Sequence, residues 1–311
     1  MPLNRVLALV GPTAAGKSRL AVELASELGA EIVSVDSAMV YRGMDIGTDK
    51  PSEQDLARIP HHMVGVVDAS CTFTVSEFQS MARAAIDGII ERGKTPLLVG
   101  GSGLYFRAVV DPFEFPGTDP AVRAEIEKKA ALVGAPEMYR RLEAADPDAA
   151  GRIQPANVRR VVRALEVIEL TGRRFSDFRP GGAGGGEQTG ADEIYDLAVA
   201  GLSFAREELD RRIDARVDAQ IERGLVDEVR RLDEAGFRSS ATSQQALGYA
   251  QILEFLDGRL TLEDAIAETK RRTRKFARRQ LSWFRADGRI TWFESDPAGA
   301  SEWLRKEKSA R

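Results

Sequence analysis

Over residues 1 to about 110, short apolar runs alternate with segments whose apolar positions recur at helical spacing. Val6 to Val10 reads as a buried strand, a helix follows from Lys17, Ile32 to Val35 reads as a second strand, and a loop comes next. A helix around Ser76 to Arg92 and a strand at Thr95 to Val99 complete the rhythm, which is that of a parallel sheet with crossover helices. From about 116 to 178 the spacing becomes helical only, with Asp119-Pro120 and Asp146-Pro147 as helix starts. The run Gly181 to Gly190 is too rich in glycine for regular structure and reads as a mobile loop. A strand returns at Asp196 to Leu202, helices run from Arg206 to Arg223 and on to Arg285, and Arg289 to Phe293 reads as the last strand. The pattern predicts an α/β protein: a discontinuous core of residues 1–115 and 196–311 carrying a P-loop parallel sheet, interrupted by an all-helical insertion at 116–195.

Between the first strand and its helix lies Gly11-Pro-Thr-Ala-Ala-Gly-Lys-Ser18. A strand that turns through glycines into a helix aims successive backbone N–H groups and the positive helix end at one point, where phosphate oxygens can bind. The whole stretch Gly11, Pro12, Thr13, Ala14, Ala15, Gly16, Lys17, Ser18 is therefore the expected diphosphate or nucleotide cradle. Lys17 supplies a mobile charge and Ser18 a hydroxyl ligand for Mg²⁺. The motif alone leaves open whether the ligand is a nucleotide.

Composition narrows the chemistry. The chain has 311 residues, 43% hydrophobic and 30% charged, as in an ordinary soluble globule. The first apolar run is too short for a signal peptide, and no stretch approaches the roughly 18 residues of a membrane span, so a cytoplasmic protein is expected. Cys71 as the single cysteine excludes an internal disulfide framework, and two adjacent histidines, His61 and His62, do not make a structural zinc site. Mg²⁺ on oxygen ligands is the expected metal. The net charge of −4 conceals a basic tract: Lys270 to Arg285 carries eight basic residues and no acid. Phe276, Trp283 and Phe284 are interleaved with those charges, which suits RNA as well as a solvated helix face.

Three further sites have two readings each. Asp36, at the end of the second strand, faces the cradle in an open parallel sheet, where it can hold Mg²⁺ or take a proton, or it caps the following turn. Ser102 in Val99-Gly-Gly-Ser-Gly-Leu-Tyr105 can donate to a phosphate or a base, with Tyr105 on the cleft wall, or this is a plain tight turn. Arg212 and Arg216 share a helix face that can grip a diphosphate, or pair with the neighbouring aspartates.

These motifs, with Asp36-Ser-Ala-Met-Val-Tyr41, Gly47-Thr-Asp-Lys-Pro51, Arg163-Ala-Leu-Glu-Val167, Thr171-Gly172, Gln245-Ala-Leu-Gly-Tyr249 and Thr273 to Arg285, resemble the tRNA dimethylallyltransferase (tRNA isopentenyltransferase) family from about residue 5 to 293. Ser18 and Ser102 stand where the family often has threonine, and Met39 where it often has glutamine. The resemblance implies transfer of a dimethylallyl group from dimethylallyl diphosphate to N6 of the adenosine 3′ of the anticodon, in tRNAs reading codons that begin with U. It implies Asp36, Lys17, Ser102 and Arg216 as catalytic residues, Mg²⁺ at Ser18, and a monomer that binds the tRNA anticodon stem-loop. The implied tRNA contacts are Asp36, Ser37, Ala38, Met39, Ser102, Arg123, Arg159, Arg160, Val161, Val162, Arg163, Gln245, Arg274 and Arg278. An adenylate dimethylallyltransferase, a small-molecule kinase and an RNA-binding ATPase are the competing readings. The helical insertion and the basic tract argue against the first, and the lack of a clear second acidic motif against the last.

Overall fold

The structure is a computed structural model that describes residues 4–178 and 194–310. The glycine-rich stretch expected at 181–190 lies outside the described residues. The chain divides into two compact units, one running up to Val110 and again from Tyr195, the other from Asp111 to Ile194.

The first unit is built on a six-stranded parallel sheet. Its strands are β1 (Arg5–Val10), β2 (Ala30–Ser34), β3 (His61–His62), β4 (Thr95–Gly100), β5 (Asp196–Ser203) and β6 (Ile290–Glu294), in the order β3-β2-β4-β1-β5-β6. β1 is central, with Leu7 in register with Leu97 on one side and Ala198 on the other. Val6 through Val10 are wholly buried, which explains why the run is continuously apolar rather than alternating. Helices α1 (Lys17–Leu28), α2 (Glu53–Arg58), α3 (Val75–Glu91) and α4 (Gly103–Val110) precede the second unit. That unit contains α5 (Pro120–Val133), α6 (Ala135–Ala145), α7 (Pro147–Ala150) and α8 (Val158–Thr171). Back in the first unit come α9 (Arg206–Glu222), α10 (Leu225–Glu234), α11 (Tyr249–Leu256), α12 (Leu262–Arg285) and α13 (Pro297–Ser309).

Two local expectations are corrected, and one further element carries no reading in the sequence. His61 and His62 form a short edge strand paired with Ile32 and Val33, where a loop was expected, because two residues carry no readable periodicity. Within the same segment a capping box, Ser52 with Asp55, starts α2. After the last strand, Asp296 accepts the Gly299 N–H and opens α13, whose Ala300 and Leu304, one turn apart, are fully buried.

The helical unit has its own core of Ile126, Met138, Leu142, Ala149, Ile153, Val161, Val162 and Ala164. Two of its helix starts are the ones legible in the sequence: the Asp119 side chain accepts the Ala121 and Val122 N–H groups, and Asp146 accepts that of Ala149. Among the described residues no helix is long and apolar enough to cross a membrane.

Candidate active site

The turn from β1 into α1 is shaped by a left-handed backbone. Gly11 has φ +144°, and a Cβ there would lie 2.4 Å from the Leu202 carbonyl oxygen on β5, so no other residue fits the sheet at this point. Ala14 and Gly16 also have positive φ, and Gly16 caps α1 with no side chain over the helix end. The first turn of α1 thus keeps its N–H groups open to an anion. α12 braces the loop from outside: buried Gln280 accepts the Thr13 N–H at 2.9 Å. Lys17 is buried and its Nζ donates to the Pro12 carbonyl at 2.6 Å. Burial pulls its ammonium down to about 7, with the charge of Arg216 adding to the effect and Asp36 opposing it. Two cations forced together around an open helix end make a site that favours a multiply charged anion.

This turn opens into a cavity of about 700 Å³ whose wall includes Lys17, Ser18, Asp36, Arg216, Phe276 and Arg279. Asp36 follows β2 and is half-buried; its Oδ1 accepts the Ala38 N–H at 2.8 Å and the Met39 N–H at 3.3 Å. The capping reading is thus seen for one carboxylate oxygen, while Oδ2 has no hydrogen-bond partner among the described residues. Ser37, Ala38 and Met39 line the same cavity, and Ser34 Oγ lies 3.5 Å from Met39 Sδ. Gln245 is on the wall too, exposed, with its Nε2 donating to the Ala241 carbonyl.

Arg216 reaches the cavity from α9, its Nε 2.8 Å from Asp49 Oδ2. Arg223, two turns on, closes on the other oxygen of Asp49. Arg212 does not join this grip: it bonds Glu208 at 2.7 Å and stacks on the Phe204 ring at 4.0 Å, so the expected pair of guanidiniums is reduced to one. Ser102 is half-buried at the entry to α4 and its carbonyl accepts the Phe106 N–H; Gly100 and Gly101, not Ser102, are on the cavity wall. Tyr105 is likewise absent from that wall. Its ring packs edge-on against Phe78 at 4.6 Å, and burial, reinforced by Tyr41 and Asp36, pushes its hydroxyl up to about 12. His61 lines the cavity instead, its Nδ1 2.7 Å from the Ile59 carbonyl and its pKa lowered chiefly by burial.

The basic tract on α12 is largely committed. Lys270 pairs with Asp218 at 2.6 Å, Arg274 with Asp214 at 2.6 Å, and Arg278 lies 3.8 Å from Asp210. Both series step by four residues, so α9 and α12 run antiparallel with one ion pair per turn. Arg274 and Arg278, expected as tRNA contacts, thus each face an aspartate of α9, with Arg278 still 46% exposed. In the helical unit Arg123 and Arg163 converge on Glu166, which is fully buried, at 2.6 Å and 2.9 Å. Burial pushes that carboxyl up, but hydrogen bonds and charge from the two arginines outweigh it and hold Glu166 below the ordinary range. Arg159 and Arg160 are exposed on α8 and have no ion-pair partner among the described residues. Val161 and Val162 are at most 3% exposed, so their side chains are core and not the RNA contacts expected of them.

Gln220 and Glu228, on or behind this wall, carry no signal in the sequence, and Asp49 and Gln280 fall within the quoted motifs without a role of their own. They act through pairings between distant segments, which no local spacing reports.

Comparison with known proteins gives one consistent result. Residues 39–287 match a model of the family described as IPP transferase, and residues 4–65 one described as isopentenyl transferase. The chain is 50% identical over 301 residues to the tRNA dimethylallyltransferase of Streptomyces coelicolor, covering 97% of this chain and 94% of that one. Against the tRNA dimethylallyltransferase of Moorella thermoacetica it is 50% identical over 297 residues, covering 93% and 90%. Among solved structures, the tRNA isopentenylpyrophosphate transferase of Bacillus halodurans superposes with a TM-score of 0.67 at 38% identity, covering 98% of this chain and 99% of that one. A eukaryotic dimethylallyltransferase acting on tRNA gives 0.83 at 27% identity, covering 99% and 80%.

Proposed function

This chain belongs to the IPP transferase family and is a prenyltransferase, and from that premise we propose that it moves a dimethylallyl group from dimethylallyl diphosphate to N6 of the adenosine 3′ of the anticodon in tRNAs reading codons that begin with U. The observation that carries this reading is one cavity with a cationic end, Lys17 and Arg216, and a half-free carboxylate, Asp36, on the same wall. The allylic C–O bond breaks as the N6–C bond forms, diphosphate leaves, and the N6 proton passes to a base. An adenine amino group is a weak nucleophile, so the barrier falls mainly through stabilising the charge that develops on the diphosphate. Lys17, the open N–H groups of α1 and Arg216 supply that stabilisation. Asp36 Oδ2 accepts the proton, which alkylation has made acidic, so a weak carboxylate base suffices.

The residues present fit Mg²⁺ as an ion shared with the substrate. Ser18 offers an exposed hydroxyl on the cavity wall, while no group of three or more metal-binding side chains occurs among the described residues, and Mg²⁺ commonly takes few protein ligands beside substrate phosphates. Bound there, it neutralises diphosphate charge. The target base lies in an RNA loop and is extruded at modest cost, and the cavity exceeds what a five-carbon diphosphate fills. The exposed Arg159 and Arg160 favour RNA binding on the helical unit, and a tRNA acceptor favours action in the cytoplasm.

The test is mass spectrometry after mixing the protein with dimethylallyl diphosphate, Mg²⁺ and either an unmodified anticodon stem-loop or AMP. Prenylated stem-loop with unmodified AMP is the expected result. Equal prenylation of AMP overturns the tRNA reading in favour of an adenylate acceptor.

A further inference from the structure

The segment that supplies Asp49 is held from behind by a buried carboxylate. Glu228 on α10 is 3% exposed, and its Oε2 accepts the N–H groups of Asp45 at 3.0 Å and Ile46 at 2.8 Å. Its Oε1 accepts the Gly47 N–H at 3.2 Å and the Tyr249 hydroxyl at 2.6 Å. Buried Gln220 donates from Nε2 to the Gly47 carbonyl at 3.0 Å, so this peptide is gripped from both sides. Gly47 itself leaves no room for adjustment, since a Cβ would lie 2.4 Å from the Tyr249 ring. Four donors on one buried carboxylate form a satisfied network, which is rigid because any shift strands a buried polar group.

What this network fixes lies two residues on. Thr48 is buried and its Oγ1 donates to the Met44 carbonyl at 2.6 Å, and Asp49 follows in the left-handed region at φ 51°. Asp49 then forms an ion pair with Arg216, Oδ2 lying 2.8 Å from Nε, while Arg216 NH2 donates to the Thr48 carbonyl at 3.5 Å and NH1 has no hydrogen bond among the described residues. A guanidinium anchored through Nε and NH2 keeps NH1 for a ligand.

We propose that Glu228 is a positioning residue for the leaving group: through Asp45 to Gly47 and Asp49 it sets the Arg216 guanidinium at the orientation that meets the diphosphate. The inference rests on the reading of Arg216 as a diphosphate contact. Glu228→Gln keeps the volume but turns one acceptor into a donor facing donors, which shifts the segment rather than emptying the core. The expected result is a KM for dimethylallyl diphosphate and an inhibition constant for inorganic diphosphate both raised about 10- to 100-fold, the scale of a small misplacement of a binding group. The KM for the stem-loop should stay unchanged. In an Arg216→Gln background the same substitution should add less than about twofold, because its route of action is gone. Asp49→Asn, which cuts the link without touching the core, should raise the same two constants and be equally non-additive with Arg216→Gln. If Arg216→Gln itself leaves diphosphate affinity unchanged, the reading of the site fails. If it weakens affinity while Glu228→Gln and Asp49→Asn leave it intact, or act additively with it, the positioning role is overturned. Should Glu228→Gln not fold, the Asp49→Asn result decides alone, by the same two outcomes.

Discussion

Glu228 in the α/β unit and Glu166 in the helical unit are both buried carboxylates, and the two are partnered by different chemistry. Glu228 in the α/β unit takes three backbone N–H groups and a tyrosine hydroxyl, so it orders a stretch of main chain beside the cavity. Glu166 in the helical unit takes two guanidiniums and the Asp119 N–H, so it orders charged side chains. A main-chain network resists displacement and suits a wall on which atoms must meet within a fraction of an ångström. A guanidinium cluster neutralises its own charge and leaves the unpaired cations elsewhere, here Arg159 and Arg160. The contrast accords with the proposal that chemistry lies on the α/β unit and RNA binding on the helical one.

The largest effect should follow from the α/β unit. Asp36→Asn retains the cap on the Ala38 N–H through its amide oxygen but removes the base, and the single-turnover rate is expected to fall by about 10² to 10⁴. A folded mutant with a normal single-turnover rate would return Asp36 to a purely capping role. Next in size is Glu166→Ala. It strands Arg123 and Arg163, and the cost should be about 2 kcal/mol, below that of a fully buried pair because both arginines can recover water. The loss must be confined to the helical unit. All three tryptophans, Trp283, Trp292 and Trp303, lie outside it, so the fluorescence unfolding curve should not move while amide exchange in α5 and α8 accelerates. A shifted fluorescence curve would show that the two units do not unfold separately.

Much of this contrast is legible in the chain where the interactions are local. The phosphate turn from Gly11 to Ser18, the starts of α5 and α7 at Asp119 and Asp146, and the switch from strand rhythm to helical spacing are all encoded within a few residues. The four-residue steps of Asp210, Asp214 and Asp218 and of Lys270, Arg274 and Arg278 are visible separately, but their pairing depends on α9 and α12 becoming neighbours. The same distance in sequence hides Glu228, which reads as one more acid on an amphipathic helix until Gly47 is brought against it. Arg163 and Glu166 are one helical turn apart and readable as a pair, whereas the complete burial of Glu166 is not. Val161 and Val162 were read with the arginines beside them, although their apolar side chains belong to the opposite face of α8.

A smaller effect sharpens which cations meet RNA. Replacing Arg159 and Arg160 together by alanine should lower the slope of log affinity against log salt by up to about 2, with each lost phosphate contact contributing roughly 0.7 to 0.9. Diphosphate inhibition should not change. Arg274→Ala should alter the slope less than either, since Asp214 already neutralises that charge. The reverse ranking would return the RNA surface to α12.

The smallest expected effect is a pH dependence. Arg123 and Arg163 outweigh the effect of burial and hold the folded Glu166 carboxyl below its ordinary value of about 4.3, so between the two values the unfolded chain binds the extra proton. Stability from this group is therefore full above the ordinary carboxylate value and is lost as the pH falls through the depressed one. Amide exchange in α5 and α8, corrected for its intrinsic pH dependence, should show the helical unit weakening below about pH 4.3. Glu166→Gln should be less stable at neutral pH yet lose less on acidification, because it has no proton to take up. If wild type and Glu166→Gln weaken in parallel over that window, the arginine cluster does not tune Glu166, and the contrast between the two buried carboxylates reduces to their geometry.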